Sequence, residues 1–279
     1  MMTCIKHDVY DKLILPQDSK EFLRRMNCIP DINLHLSQNR YCYEKMTNSG
    51  KKYSTLILAE ISKRSLDYTE IYEKEAPVLI ERLNYRNQKI VETFQCHKFY
   101  RLDIYDKLMI GESSVYHGMQ PLRLHPLYGI PYIPASVIKG TLRSVWIMER
   151  YGGDTEKAES DDGFIELFGG KRKDGKRFEG RLSFFDTYPE RFSIGVDVQT
   201  IHYRYYYDKP NKRPTDDQST LPVFFGCLRK AAFQVGIASN DEAVWKPRQK
   251  ELDAMVKCMF TQYGIGAKTA LGYGTGSLS

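Results

Sequence analysis

The sequence of 279 residues lacks the patterns that mark several common classes of protein. Its six cysteines form no CxxC pair and have no histidine partner at a spacing typical of zinc sites, so we interpret them as reduced thiols. The apolar run at 56–59 ends at Glu60 and is too short to span a bilayer. Residues 1–12 contain no apolar core of the signal-peptide type. These absences predict a soluble cytoplasmic protein that does not bind a membrane.

Catalytic and metal-binding patterns are also missing. His117, His125 and His202 lie in polar stretches, but no partner group for general acid–base catalysis can be identified from the sequence. Asp186 and Asp197 stand at the ends of predicted strands, where a lone aspartate is more often a turn or cap residue than a metal ligand. We therefore expect no catalytic residue, no metal and no cofactor.

The composition is that of an ordinary globular protein, with 42% hydrophobic and 27% charged residues. The 41 basic and 35 acidic side chains give a net charge of +6, which permits a nucleic-acid partner without requiring one. The 20 tyrosines are more informative, because aromatic rings beside lysine and arginine can stack on bases. Tyrosine is also common in strands, so a structural role for any one of them stays open.

The segment 263–276 is rich in glycine, with five glycines around Lys268. Glycine permits positive φ and close approach of the backbone to another molecule. Successive exposed N–H groups in such a turn form a concave anion site, and a lysine adds a compact charge for a phosphate. Gly264 and Gly266 lack the preceding strand and following helix of a dinucleotide-binding fingerprint. We therefore expect this loop to contact a nucleic-acid backbone.

A second basic feature is the helix predicted from Ser136 to about Arg150, which follows a loop rich in glycine and proline. Its stripe at 138, 142 and 145 is apolar, and Lys139, Arg143 and Arg150 form a basic face. The alternative is an ordinary solvated charged face. Because a helix N-terminus favours anions, we expect this helix to form the wall of an RNA groove opposite the glycine-rich loop.

Periodicity predicts an α+β protein with two parts. Residues 1–92 are predicted to be mostly helical, with one helix at 68–90 that Pro77 interrupts. From 93 to 279 the predicted order is strand, helix, strand, inserted arm, strand, helix and strand, the order of a ferredoxin-like (RRM-like) domain. The arm covers about 195–222, and the final strand is predicted at 271–278. The sheet would bury one face under two helices and leave the other for RNA or inserted segments.

Four segments, in this order, resemble the RAMP superfamily of CRISPR proteins: 129–143, 167–170 with 180–186, 197–203, and 264–274. The last two look most like a subunit family within it, the sixth RAMP subunit of type III-B (Cmr) effector complexes. One departure is Ile201, where a proline is expected before His202.

The resemblance implies a structural subunit at the end of the backbone filament that holds the guide RNA, near the 3′ part of that RNA. Its implied partners are the guide RNA, the complementary target RNA, and other Cmr-type RAMP and small subunits. The expected RNA contacts are Ser136, Lys139, Arg143, His202, Tyr203, Arg204, Tyr263, Gly264, Gly266 and Lys268. Two alternatives stay open, a metal-independent RAMP endoribonuclease that matures guide RNA and a protein–protein adaptor without RNA contact.

Overall fold

A computed structural model describes residues 42–47, 50–55, 77–111, 119–120, 122–125, 128–171, 175–201 and 221–279. The chain forms two units. The first comprises Met1–Lys74, Gly111–Gly129 and Ile194–Cys227, and the second comprises Glu75–Ile110, Ile130–Ser193 and Leu228–Ser279. None of the helices within the described ranges is long and apolar enough to cross a membrane.

The described elements confirm an α+β protein. In chain order they are β1 (Cys42–Thr47), β2 (Gly50–Thr55), α1 (Pro77–Val91), β3 (Cys96–Ile104), β4 (Lys107–Leu108), β5 (Met119–Gln120), α2 (Ala135–Tyr151), α3 (Thr155–Glu159), α4 (Asp162–Phe168), β6 (Gly169–Lys171), β7 (Arg177–Glu179), β8 (Ser183–Phe184), β9 (Pro189–Ile201), β10 (Leu221–Ser239), α5 (Glu242–Cys258), a π-helical turn (Met259–Tyr263), a 3-10 turn (Thr269–Leu271) and β11 (Gly276–Leu278).

In the first unit, β1 and β2 form an antiparallel hairpin in which Cys42 pairs with Thr55 and Thr47 with Gly50. The prediction of a mostly helical segment is therefore wrong at 42–55. The two-residue connection Asn48-Ser49 before a glycine is a hairpin signal that the helical interpretation overlooked. The helices predicted elsewhere in 1–76 lie outside the described residues.

The helix predicted at 68–90 begins at Pro77 and continues to Val91 within the described residues. Pro77 is therefore the first helical residue that the structure describes, and its interruption of a longer helix stays a prediction. Proline is favoured at the first helical position for two reasons. An N–H at that position has no hydrogen-bond partner within the helix, so proline loses nothing by lacking it, and the ring already holds φ at a helical value. The predicted turns at 68–76 lie outside the described residues.

The main sheet of the second unit is organised around β3, which lies between β11 and β10. Tyr100 pairs with Val235 on one side, and Ile104 pairs with Gly276 on the other. Strands β4, β8 and β9 also pair with β10. The final strand is shorter than predicted, because the 3-10 turn occupies 269–271 and Leu271 is 73% exposed.

Helix α5 covers one face of this sheet. Tyr100, Leu102 and Ile104 are buried on that face, and both the Tyr100 hydroxyl and Lys98 Nζ donate 2.8 Å hydrogen bonds to Asp253. Burial and the bond to Asp253 raise the pKa of Tyr100, so its hydroxyl stays protonated. The periodicity that predicted α5 from its apolar positions is confirmed.

The opposite face is partly covered by α1. A Cβ on Gly236 would lie 2.8 Å from Cγ2 of Val91, so the helix approaches the strand where a side chain is absent. Beyond this contact, Arg101 pairs with Glu190 at 3.2 Å, and Asp103 pairs with Arg191. The charged side chains that α1 leaves uncovered on this face therefore form ion pairs with each other. Instead of the open face expected for RNA, the structure has a face that is partly covered by a helix and otherwise charged.

Candidate nucleic-acid interface

Helix α2 begins one residue before the predicted start. Pro134 precedes it in an extended conformation without a side-chain cap, and the Ala135 N–H donates to Oδ1 of Asp186 at 2.8 Å. Ser136 is exposed in the first turn. The cap interpretation of Asp186 is therefore confirmed, since its carboxylate satisfies a donor that a helix N-terminus leaves without a partner.

The two predicted cations of α2 have different surroundings. Arg143 Nη2 lies 2.6 Å from Oε1 of Glu159, and its guanidinium lies 5.2 Å from the Phe164 ring centroid. Lys139 is half-buried and makes no ion pair among the described residues. A phosphate at Arg143 would have to compete with a carboxylate, whereas Lys139 offers an uncompensated charge.

Three glycines let the glycine-rich loop pack against its own backbone. Gly264, Gly266 and Gly274 have φ of 75°, 90° and 70°. A Cβ on Gly264 would lie 2.6 Å from the carbonyl oxygen of Tyr273. A Cβ on Gly266 or Gly274 would collide with the carbonyl of Met109 or Ile265, respectively. Only glycine fits such positions, because it has no Cβ and tolerates positive φ.

Most amides of this loop have internal partners. The N–H of Gly264 donates to Met259 O at 2.8 Å, and that of Ile265 donates to Gly274 O at 3.1 Å. Ala267 N–H donates to Met109 O at 2.8 Å. The expectation that the amides at 264–266 assist a phosphate is therefore wrong for Gly264 and Ile265. Contact of Gly264 and Gly266 with RNA through other atoms stays a prediction.

Lys268 follows these constrained residues with φ of 60°, a left-handed conformation that non-glycine residues rarely adopt. Holding a lysine there costs on the order of 1 kcal/mol, and such strain persists where the surrounding structure determines the backbone. The lysine is half-buried and precedes the 3-10 turn. The loop thus holds one cation in a fixed backbone geometry.

Tyr263 connects this loop to the far end of α2. Its hydroxyl donates to Oε1 of Glu149 at 2.7 Å. This bond raises the pKa of Tyr263 to about 12. Glu149 is ten residues beyond Lys139, about 15 Å along the helix axis at 1.5 Å per residue. The contact places Tyr263 near the C-terminal end of α2, whereas Ser136 and Lys139 lie at its N-terminal end. That Lys268 and the N-terminal part of α2 form facing walls of a groove stays a prediction.

The other predicted site residues are distributed as follows. His202, Tyr203 and Arg204 lie outside the described residues, as does His117. The His125 ring stacks on Tyr128 at 4.6 Å between centroids. Among the described residues, no group of three or more histidine, cysteine, aspartate or glutamate side chains is placed to hold a metal ion.

Helix α1 carries Arg82, Tyr85 and Arg86 on its outer face, a group that the glycine-based sequence patterns do not indicate. All three are exposed, and neither arginine makes an ion pair with a described residue. Their spacing of three and four residues is the sequence signal for this group, because such positions are neighbours on a helix.

The family model for the RAMP superfamily matches residues 104–277. The CRISPR system Cmr subunit Cmr6 of Pyrococcus furiosus is 26% identical over 223 residues, 59% of this chain and 62% of that protein. The Cmr6 subunit of Saccharolobus solfataricus is 31% identical over 157 residues, 55% of this chain and 47% of that protein. The chain thus spans less than two thirds of either relative.

A solved structure has a similar fold. It is a chain in the cryo-EM structure of the type III-B Cmr-beta complex bound to cognate target RNA. The TM-score is 0.53 with 24% sequence identity, and the match covers 80% of this chain and 70% of the other. At that identity the likeness extends to the fold alone.

Proposed function

Because this chain belongs to the RAMP superfamily, we propose that it is a non-catalytic, RNA-binding subunit of a type III-B CRISPR effector complex. In this role it binds the 3′ part of the guide RNA and neighbouring RAMP subunits, and it helps to admit complementary target RNA. Both curated relatives are named as Cmr6 subunits, which supports this assignment. Other Cmr-type RAMP and small subunits are its proposed protein partners, and the cytoplasm is its proposed location.

The ferredoxin-like arrangement is part of the proposal. The order β3, α2, β9, β10, α5 and β11, with β3 between β11 and β10 and with β9 paired to β10, supports it. In this arrangement the glycine-rich loop connects the second helix, through its π-helical turn, to the last strand. The proposed domain occupies 93–279, preceded by a segment at 1–92 that contains the β1–β2 hairpin and α1. The arm predicted at about 195–222 is confined to the residues between β9 and β10, because β9 continues to Ile201 and β10 begins at Leu221.

Lys268 carries the proposal. Its left-handed backbone is fixed by a loop whose glycines pack on carbonyl oxygens. A fixed backbone holds the attachment point of the lysine in place, so only the side chain has to be ordered when the ammonium group meets a phosphate, and this lowers the cost of binding. Lys139 and Ser136 form a second phosphate contact on the first turns of α2, beside the Asp186 carboxylate that already accepts from the Ala135 N–H. Arg143, Tyr263, Gly264, Gly266 and the arm residues His202, Tyr203 and Arg204 complete the proposed surface.

The test uses substitutions that remove charge without disturbing the backbone. Lys268→Asn retains a residue that tolerates left-handed φ, and Lys268→Arg retains the charge. We expect Lys268→Asn and Lys139→Ala each to weaken binding of single-stranded RNA and to reduce the salt dependence by about 0.7 in log–log slope. Lys250→Ala removes an exposed lysine of α5 and serves as the matched control.

Fluorescence anisotropy across a salt series measures these effects, and native mass spectrometry of the complex from its own cells reports RNA and partners together. RNA affinity that is unchanged in the Lys139→Ala/Lys268→Asn double variant would refute the proposed contacts. Incubation with CRISPR repeat RNA tests the non-catalytic assignment. Specific cleavage that a His125→Ala or His202→Ala substitution abolishes would replace it by an endoribonuclease function.

A further inference from the structure

A pocket with a volume of about 300 Å³ lies between α1 and the residues that precede β9, beside the first residue of α2. Its apolar walls come from Leu83, Phe184, Phe185 and Tyr188. A pocket of this size lies at the lower end of the range for small-molecule sites. The lining combines these side chains with the polar groups of Arg86, Asn87 and Asp186, a mixture that suits a planar heterocycle.

The pocket is fixed by contacts from both sides. Asn87 Nδ2 donates to the carbonyl oxygen of Asp186, and Asn84 Nδ2 donates to that of Pro189 at 3.3 Å. The Phe185 ring meets Phe94 edge-on, with centroids 5.4 Å apart. Because α1 is joined to this segment by these bonds, the pocket is present before any ligand binds.

Polar groups at the pocket complement the edge of a base. Arg86 is exposed and pairs with no described acid, so its guanidinium is available to donate. Asp186 uses Oδ1 for the Ala135 N–H, and Oδ2 has no hydrogen-bond partner among the described residues. An arginine fork matches the O6 and N7 acceptors of guanine. Guanine also presents N1–H and N2–H side by side, which suits a carboxylate acceptor.

The outer face of α1, next to the pocket, also carries groups that can bind nucleic acid. Helix α1 has three basic residues, Arg82, Arg86 and Lys89, and one acidic residue, Glu81. Lys89 pairs with Glu92 at 2.7 Å and lies 5.6 Å from the Tyr85 ring centroid, so the two arginines provide the unpaired charge among the described residues. Tyr85 lies between the two arginines and is 61% exposed. A positively charged track with an aromatic ring is the pattern that binds single-stranded nucleic acid by phosphate contact and stacking.

We propose that this pocket binds one extruded nucleobase of single-stranded RNA, with guanine preferred, while Arg82 and Tyr85 hold the adjoining nucleotides. The proposal rests on the RNA-binding function above and adds a base-reading site to it. Asp186 and Arg86 read the base edge, and the aromatic walls bind its faces.

The test compares oligoadenylate RNAs that differ at one central position, which is a guanine, an adenine or an abasic site. The full-length wild-type chain is expected to bind the guanine RNA about tenfold more tightly than the adenine and abasic RNAs, as one bidentate base contact provides. Asp186→Asn keeps an oxygen for the Ala135 N–H and loses the anionic acceptor, so the preference for guanine should fall several-fold while stacking and Arg86 remain. Glu156→Gln removes an exposed acid of α3 and should leave the preference unchanged.

Arg86→Lys separates charge from geometry. It should retain the salt dependence of binding and lose the preference for guanine, since lysine lacks the planar fork. Guanosine monophosphate, followed by ligand-observed NMR, tests the pocket without an RNA backbone. Binding that Asp186→Asn weakens supports the base site itself. If the chain then binds no RNA, the RNA-binding function proposed above fails together with the RNA part of this inference, and the pocket is a site for a free nucleotide.

Three results would overturn the inference. The first is salt-dependent RNA binding with equal affinity for guanine and abasic RNAs, which leaves the proposed function intact. The second is a guanine preference that Asp186→Asn does not change. The third is an Arg82→Gln/Arg86→Gln double variant that loses partner subunits from the native complex but keeps its preference for guanine. That result would make this face of α1 a protein-docking surface.

Discussion

The hydroxyl of Tyr263 donates a 2.7 Å hydrogen bond to Oε1 of Glu149, and this bond joins the start of the glycine-rich loop to the last turns of α2. It connects residues 114 positions apart in the sequence. The bond orients the tyrosine ring along the helix, so the phenol has a structural role whether or not the ring also meets RNA.

Tyr263→Phe is expected to lower the free energy of unfolding by about 1 kcal/mol at neutral pH, because it removes one charged-acceptor hydrogen bond at a half-exposed site. The same bond raises the pKa of Tyr263 to about 12, above the ordinary tyrosine value. A raised folded-state pKa means that the stabilisation is complete below about pH 10 and is lost as the pH rises through 12.

The measurement is chemical denaturation of wild type and Tyr263→Phe at neutral and alkaline pH. The difference between the two proteins should shrink across the window from about pH 10 to 12. Glu149→Gln keeps an acceptor and serves as the control, with a smaller loss at neutral pH. A difference that stays constant up to pH 12 would contradict the hydrogen bond.

Gly274 and Gly272 form a matched pair for the packing of the loop. Both have positive φ, 70° at Gly274 and 86° at Gly272. A Cβ at Gly274 would collide with the Ile265 backbone, whereas a Cβ at Gly272 would have no heavy atom within 4 Å. We expect Gly272→Ala to cost about 1 kcal/mol from backbone strain alone. Gly274→Ala should cost at least about 2 kcal/mol more, because backbone atoms must move.

Thermal and urea denaturation compare these two variants directly. Equal destabilisation would show that collision with the carbonyl of Ile265 contributes nothing, and that the glycine is required for its φ alone. Gly274→Ala should also weaken RNA binding if the loop presents Lys268, while Gly272→Ala should leave that binding close to wild type.

The pair Arg143 and Glu159 tests whether an internal carboxylate competes with RNA. Glu159→Gln keeps an oxygen acceptor but removes the negative charge 2.6 Å from Arg143, and it should raise RNA affinity a few-fold because a phosphate then competes with a neutral amide. Its stability cost should be at most about 1 kcal/mol, as for exposed ion pairs. Glu156→Gln changes the net charge equally on the same short helix and should have a smaller effect on affinity.

RNA affinity measured by fluorescence anisotropy at one salt concentration shows whether Glu159 competes with RNA for Arg143. If both glutamate variants raise affinity equally, the effect is general charge, and Arg143 has no specific contact with RNA. Arg143→Ala is less informative, because it also removes the packing of the guanidinium on the Phe164 ring.

Sequence patterns predicted the parts of this fold in which local periodicity agrees with burial. Leu252, Val256, Met259 and Phe260 recur at helical spacing and are all buried. The hairpin at 42–55 and the 3-10 turn at 269–271 were missed, because two-residue connections and glycine pairs determine such elements more strongly than apolar periodicity does.

The candidate site was predictable in its residue types but not in its connections. A lysine among glycines indicated the loop, yet nothing local indicates that Met259, Met109 and Gly274 carbonyls accept the loop amides. Nor could the sequence show that Glu159 neutralises Arg143 across 16 residues. Long-range partners arise from tertiary packing, and they decide which predicted donors and charges are available.

Gly236 and Val91 determine how closely α1 lies on the sheet. A Cβ at Gly236 would lie 2.8 Å from Val91 Cγ2 and 3.4 Å from Phe99 Cε1. Gly236→Ala should therefore destabilise the protein by about 1–3 kcal/mol through overpacking. Val91→Ala alone should cost about 2 kcal/mol, because it removes a buried side chain.

The double variant should be more stable than the sum of the two losses implies, since the smaller residue at 91 makes room for the new methyl group. Urea denaturation of all four proteins gives the coupling energy, which we expect to be at least about 0.5 kcal/mol in the compensating direction. Additive losses would mean that Val91 does not press on the strand at Gly236. Because α1 also provides Leu83 and Arg86 to the pocket, Gly236→Ala should weaken guanine preference, and the double variant should restore it.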